Sequence, residues 1–280
     1  MTELAREPVP SGPAPETGPV AVRHIGLVNW LGLWTLYTKE VKRFLNVFTQ
    51  TIAAPVVTSL LFFAIFSLAL GGGARTVGDL PFAQFLAPGL IMMAMMQNAF
   101  ANTSSSLMIG KVQGNIVDVL MPPLSPAELT IGFAAGGVTR GIIVGIAAGL
   151  AMLLFVPATL HAPALIAFHA VAASLMLALL GMMGGIWADK FDHISAVTNF
   201  VIMPFSFLSG TFYSIERLPA GWQLAAQFNP FFYMIDGFRH GFIGRSDADP
   251  TIGVAVMVAA NVLLFAAAYR MFARGYKLKA

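Results

Sequence analysis

The chain has 280 residues, 57% hydrophobic and only 10% charged, with a mean hydropathy of +0.76 and a net charge of +3. A soluble domain covers its surface with roughly 25% charged residues, so this composition makes lipid the solvent for much of the chain. The small net charge is no argument for a nucleic-acid partner, and the lack of cysteine excludes disulfides, thiol chemistry and Cys-based metal sites.

The first twenty residues hold five prolines and no apolar run. Residues 1–22 therefore read as a disordered cytoplasmic tail rather than a secretory signal, which needs a continuous apolar stretch. Residues 23–46 read as an amphipathic interfacial helix. Leu27, Trp30, Leu31, Trp34, Tyr37, Val41, Phe44 and Leu45 recur at helical spacing, and Lys39, Glu40, Lys42, Arg43 and Asn46 fall mostly between them. Such a helix serves either as a simple anchor or as a dock for a cytosolic partner.

A transmembrane helix needs roughly 20 apolar residues. The intervals between charges, broken by Pro157 and Pro163, predict six spans at 47–70, 83–108, 129–155, 163–187, 195–213 and 250–270. Together they make a transmembrane domain over 47–272, followed by a short cytoplasmic tail, 273–280. The expected fold is all-α and integral to the membrane. Lys and Arg set its orientation. Arg6, Arg23, Lys39, Lys42, Arg43, Lys111, Lys190, Arg270, Arg274, Lys277 and Lys279 fall on one side, against Arg75, Arg217, Arg239 and Arg245 on the other. Both termini are expected in the cytoplasm.

The loop between spans two and three carries a short apolar stripe, Ile116, Val119 and Leu120, ended by Pro122-Pro123. Ser125, Pro126 and Glu128 then form a helix start, with Ser as N-cap, Pro at the first position and Glu at the third. Read from its residues, this is either an ordinary capped connection or a short helix, pinned between two long ones, that can transmit force from a partner. In span three, Arg140 is expected near the cytoplasmic edge, where it can snorkel; it anchors the helix or pairs with a neighbour, or else lines a path for an anionic or polar group. Gly137, Gly141, Gly145 and Gly149, with Gly181 and Gly185 in span four, predict close helix packing, within the subunit or across a dimer. The methionines of span two, Met92 and Met96 among them, offer either core filler or a soft surface for apolar cargo.

Between spans five and six, two short helices are predicted around Phe228-Asn229-Pro230, from about Pro219 to Gln227 and from about Phe231 to Ile243. Each is too short to cross a bilayer and is assigned as re-entrant or interfacial. Trp222 and Tyr233 suit the outer headgroup level, and Asp236 and Arg239 share a helical face and can pair. Asp189 and Asp192 read as a solvated pair in a tight loop. No phosphate-binding G-x-x-x-x-G-K-[ST] loop is present, no histidine spacing suits a metal, and no carboxylate lies within a predicted span. An enzyme and an ion-coupled carrier are therefore both disfavoured. Energy must enter from another chain, unless the protein is a scaffold that recruits a cytosolic partner without transport.

From about Trp30 to Lys279 the chain resembles the ABC-2 type transporter permeases, especially small bacterial ones paired with a separate ATPase. The resemblance rests on Pro88-Gly89-Leu90-Ile91-Met92-Met93, on Asn115-Ile116 with the Pro122–Pro126 loop, and on Gly136-Gly137-Val138-Thr139-Arg140-Gly141. Ser209-Gly210-Thr211-Phe212-Tyr213-Ser214 follows, then Leu218-Pro219, Trp222, Asn229-Pro230, Tyr233-Met234-Ile235 and Gly237-Phe238-Arg239-His240-Gly241-Phe242. It implies six helices per subunit, a second permease copy, two ABC ATPase subunits, and export out of the bacterial inner membrane of a lipid-like, glycan or amphipathic substrate. ATP and Mg would be bound by the partner, with no cofactor in this chain. The resemblance also implies that Lys111, Gln113, Asn115, Ile116, Asp118, Val119, Leu120, Pro122 and Pro123 form the ATPase-coupling segment. Arg140, Met92 and Met96 would then flank the substrate path. The outer re-entrant region would hold Trp222, Asn229, Pro230, Tyr233, Asp236 and Arg239.

Overall fold

The computed structural model describes residues 26–69, 76–77, 80–157, 159–215 and 218–278. The expected tail 1–22, and with it Arg6, lies outside the described residues, as do Arg23, Arg75, Arg217 and Lys279 of the charge tally.

Nearly everything described is helical. Helix α1 (Trp30–Leu45) starts at Asn29, whose side chain accepts from the Gly32 N–H. A π-helical turn, Thr49–Ala53, leads into α2 (Ala54–Ala69), and a two-residue antiparallel pair, β1 (Thr76–Val77) with β2 (Leu80–Pro81), precedes α3 (Phe82–Val112). The short α4 (Ile116–Leu120) connects to α5 (Pro126–Met152), which is followed by α6 (Pro163–Trp187). Helix α7 (Phe191–Val197), a second π-helical turn (Thr198–Ile202) and α8 (Met203–Leu208) form one rod. Two short helices, α9 (Ala220–Gln227) and α10 (Pro230–Ile243), come before α11 (Pro250–Ala273).

Among the described residues, five helices are long and apolar enough to cross a membrane: Thr49–Leu68, Pro126–Met152, Pro163–Trp187, Phe191–Leu208 and Pro250–Ala273. They match five of the six predicted spans. The remaining one falls on α3, a 31-residue helix about 46 Å long. Gln84, Gln97 and Asn98 dilute its apolar content. The packing explains why that dilution is tolerated: α3 lies at the centre, against α2, α5, α6 and α10, so protein rather than lipid is its solvent.

The small residues of spans three and four act inside the subunit. A Cβ on Gly137 would lie 2.7 Å from the Ala178 Cβ, and one on Gly141 would lie 2.7 Å from the Ser174 Oγ. A Cβ on Gly181 would collide with the Phe100 carbonyl, and one on Gly185 would lie 2.9 Å from the Ser104 carbonyl. The α3, α5 and α6 backbones therefore approach as closely as glycine permits. The segment after α11 folds back instead of trailing away. Leu278 is buried, and Lys277 Nζ donates to the Asp189 carboxylate at 2.8 Å and to the Trp187 carbonyl at 3.1 Å.

Candidate functional site

Three regions carry the polar and exposed apolar chemistry. The first is the α4 connection. At the end of α3 the chain reverses through Gly114, whose φ of +76° suits glycine. Gln113, Asn115, Asp118, Pro122 and Pro123 face outward, whereas Ile116 is buried and Val119 and Leu120 pack half-buried against Leu107 and Leu129. Lys111 turns inward, and its Nζ donates to the carbonyls of Ile186 (2.7 Å) and Ala188 (2.5 Å) at the end of α6. Two apolar side chains, Val117 and Met121, are exposed on the same outer face.

This loop is tied to two long helices. The expected capping box at α5 is present: the Glu128 N–H donates to Ser125 Oγ at 3.3 Å, and the Ser125 N–H donates to the Glu128 carboxylate at 2.6 Å. The other Glu128 oxygen accepts from the Asn29 N–H at the start of α1, and the Asn29 side chain donates to the Pro123 carbonyl at 3.3 Å. Leu124 packs against the same turn of α1, where a Cβ on Gly32 would lie 2.8 Å away. One buried carboxylate thus pins α1, the loop and α5 together.

The second region lies between α1, α3 and α5, and it corrects one sequence expectation. Glu40, read as part of the polar outer face of α1, is wholly buried. It accepts from Ser106 Oγ at 2.7 Å and pairs with Arg43 at 3.1 Å, while Arg43 also donates to the backbone and side-chain oxygens of Asn102. The aromatic residues point the other way: Trp30 is 72% exposed and Trp34 65%. Helix α1 therefore presents its indoles to the surroundings and a charge pair to the protein. Arg140, read as able to snorkel or to pair with a neighbour, takes the second course: it stays inside at 9% exposure and donates to Asn98 Oδ1 at 2.8 Å. A buried amide offers the guanidinium a nearer partner than the interface does. Met92 and Met96 are sealed within the core of the subunit.

The third region is at the opposite end, where α10 is buried along most of its length. Asn229 caps α10, with Pro230 as its first residue, and its Nδ2 donates to Ser209 Oγ at 2.9 Å. Tyr233 is buried against the core and Trp222 on α9 is exposed. Asp236 and Arg239 attract one another but form no direct salt bridge among the described residues. Asp236 accepts from the Asp247 and Ala248 N–H groups and from Ser246 Oγ. Arg239 donates to the Gly210 carbonyl at 2.7 Å and sits over the Phe85 ring at 3.8 Å. Both are charges spent on stitching loops to α10, since each finds backbone partners where it is buried. Nearby, an apolar cavity of 360 Å³ runs between α3, α5, α6 and α10, lined among others by Pro88, Ile91, Gly149, Leu153, Ile166 and Phe242.

Sequence reasoning missed Val117 and Met121, four apart on the face opposite the stripe it recognised. It also missed Glu40 and the polar run Gln97, Asn98, Asn102 and Ser105. The available signal was that run itself, since polar residues inside a long apolar helix need partners.

Comparison with known proteins agrees with this arrangement. The ABC-2 type transporter family matches residues 32–243, from α1 through α10. The chain is 36% identical over 250 residues to the inner membrane transport permease YadH of Escherichia coli K12, covering 89% of this chain and 98% of that protein. It is 28% identical over 255 residues to nodulation protein J of Rhizobium leguminosarum bv. viciae, covering 88% and 94%. A multi-helix chain matched over nearly its whole described length, including both the α4 connection and the α9–α10 segment, belongs to the ABC-2 type transporter family.

Proposed function

We propose that the chain is the membrane-spanning subunit of an ATP-driven exporter in the bacterial inner membrane, with ATP and Mg bound by two copies of a separate ABC ATPase. In this reading α3 is the sixth span, α9 and α10 are re-entrant, both termini and α4 lie in the cytoplasm, and a second permease copy completes the path. The relative named as an inner membrane transport permease supports the location and the class. Arg140 flanks the route of a lipid-like, glycan or amphipathic substrate.

The observation that carries the reading is the outer face of α4: Asn115, Val117, Asp118 and Met121 exposed together on a loop locked to α1 and α5 through Glu128 and Asn29. An exposed apolar pair flanked by polar groups suits a protein partner. Movement of that partner would be passed to two helices at once. Val117→Asp and Asp118→Lys are expected to abolish co-purification with the ATPase and ATP-dependent transport while leaving the thermal melt of the permease unchanged. Normal transport in both variants would remove α4 from the coupling role. A complex that assembles but shows no substrate-stimulated ATP hydrolysis would instead favour the non-transporting scaffold.

A further inference from the structure

From Phe85 to Met108, every residue of α3 is buried except Gln97, Ala101 and Ser105. Spaced four apart, these three make one open seam along a helix otherwise enclosed by protein. The side chains beside the seam are polar: Asn98 and Asn102 on α3, Arg43 on α1 and Arg140 on α5.

The charges in this cluster do not balance. Glu40 is committed to Arg43 and Ser106, which leaves Arg140 without a carboxylate among the described residues. Arg140 is nine-tenths buried, and Arg43 lies close enough to repel it. Its Nε and the Asn102 Nδ2, both donors, have no partner among the described residues. A buried cation without a counter-ion is costly, and orphaned donors beside it add to that cost. Both are relieved by one kind of ligand, an oxyanion, because guanidinium and amide N–H groups match phosphoryl oxygens.

Arg140 lies 14 residues into α5, about 21 Å from its first residue, so the anion would enter at membrane depth rather than from bulk water. The flanking rod α2 exposes Val57, Leu61, Ile65 and Leu68, an apolar wall suited to acyl chains. We propose that the Gln97–Ala101–Ser105 seam, with Arg140 and Asn102, binds the phosphoryl group of an amphipathic lipid. This rests on the exporter reading for its purpose and not for its chemistry.

The test uses the full chain purified in detergent, without ATPase or nucleotide. Native mass spectrometry measures retention of added phosphatidylglycerol against phosphatidylcholine, with and without inorganic phosphate. The expected result is a preference for the anionic lipid of roughly tenfold. Arg140→Gln should lose it, Arg140→Lys should retain part of it, and Lys39→Gln with Lys42→Gln should leave it intact. Because Arg140→Gln risks misfolding, Asn98→Asp is the second variant. It supplies the missing carboxylate from within, so the preference should vanish while the melting temperature holds or rises. Persistence of the preference in both Arg140→Gln and folded Asn98→Asp would overturn the proposal. So would its loss in the Lys39/Lys42 variant alone, which would place the lipid on the outside of α1. Retention of inorganic phosphate with no lipid preference would assign the seam to a soluble oxyanion and overturn the lipid assignment. None of these readouts involves transport, so their failure leaves the coupling experiment on α4 to decide the exporter reading separately.

Discussion

The two halves of the packing around α3 are built from different materials. Toward α4, Asn98 bonds Arg140 of α5, Asn102 and Ser106 bond Arg43 and Glu40 of α1, and α6 lies against α3 through Gly181 and Gly185. Toward α10, α3 and α5 meet through Ile91, Met95, Gly145 and Gly149, with a cavity left between them. Directional bonds and backbone contact allow one geometry, whereas methionine against glycine tolerates several. The α4 half is thus made to transmit a displacement, and the α10 half to absorb one.

Substitutions can break or sharpen that contrast. Gly181→Val should have the largest effect, because its side chain would meet the Phe100 carbonyl and no flexible group can yield. A loss of about 3 kcal/mol is expected, read from thermal unfolding in detergent. Glu40→Ala follows at about 2 kcal/mol, since it strands Arg43 and Ser106 but leaves Arg43 some access to water. In the α10 half, Gly149→Ala should be neutral or stabilising by about 0.5 kcal/mol, as only the Ile91 Cδ1 lies near, at 3.8 Å, and alanine favours the helix. If Gly149→Ala cost as much as Gly181→Val, the two halves would be equally rigid and the contrast would fail.

The smallest expected effect lies outside the membrane, where Lys277 fastens the C-terminal segment to Asp189. The hydrogen bond from Lys277 holds the Asp189 carboxyl below the ordinary carboxylate range, and Lys277 is raised in turn. A depressed carboxyl stabilises above its unfolded value and stops doing so as pH falls through its folded value. Amide exchange over 274–278, relative to the intrinsic rate, should therefore rise on acidification below about pH 4 and again in strong alkali as Lys277 loses its proton, and high salt should weaken the clasp at neutral pH. Asp189→Asn should remove the pH dependence. An unchanged acid profile in that variant would show that the segment is held by Leu278 alone.

Much of this was legible before any coordinates. Five apolar helices, the capping box at Ser125 and Glu128, and the break at Asn229-Pro230 followed from residue order, because hydropathy, caps and proline act over a few neighbours. The roles of Asp236, Lys111 and Glu40 were not legible. Asp236 and Arg239 lie three apart and looked like a pair, yet each found a closer partner in a loop. Lys111 looked like a coupling residue, and instead it closes the end of α6.

The sequence by itself determined that the chain lives in lipid, where most of its helices begin and end, and the glycine ladder of which Gly137, Gly141, Gly181 and Gly185 bring them together. Only the tertiary structure decided which face of α1 turns inward, and that α3, with its amides, is enclosed by the other helices. It alone left Arg140 short of a counter-ion. The physical reason is range: a helix is set by contacts within a turn or two, whereas a buried charge depends on groups from Glu40 to Arg140, which only packing brings together.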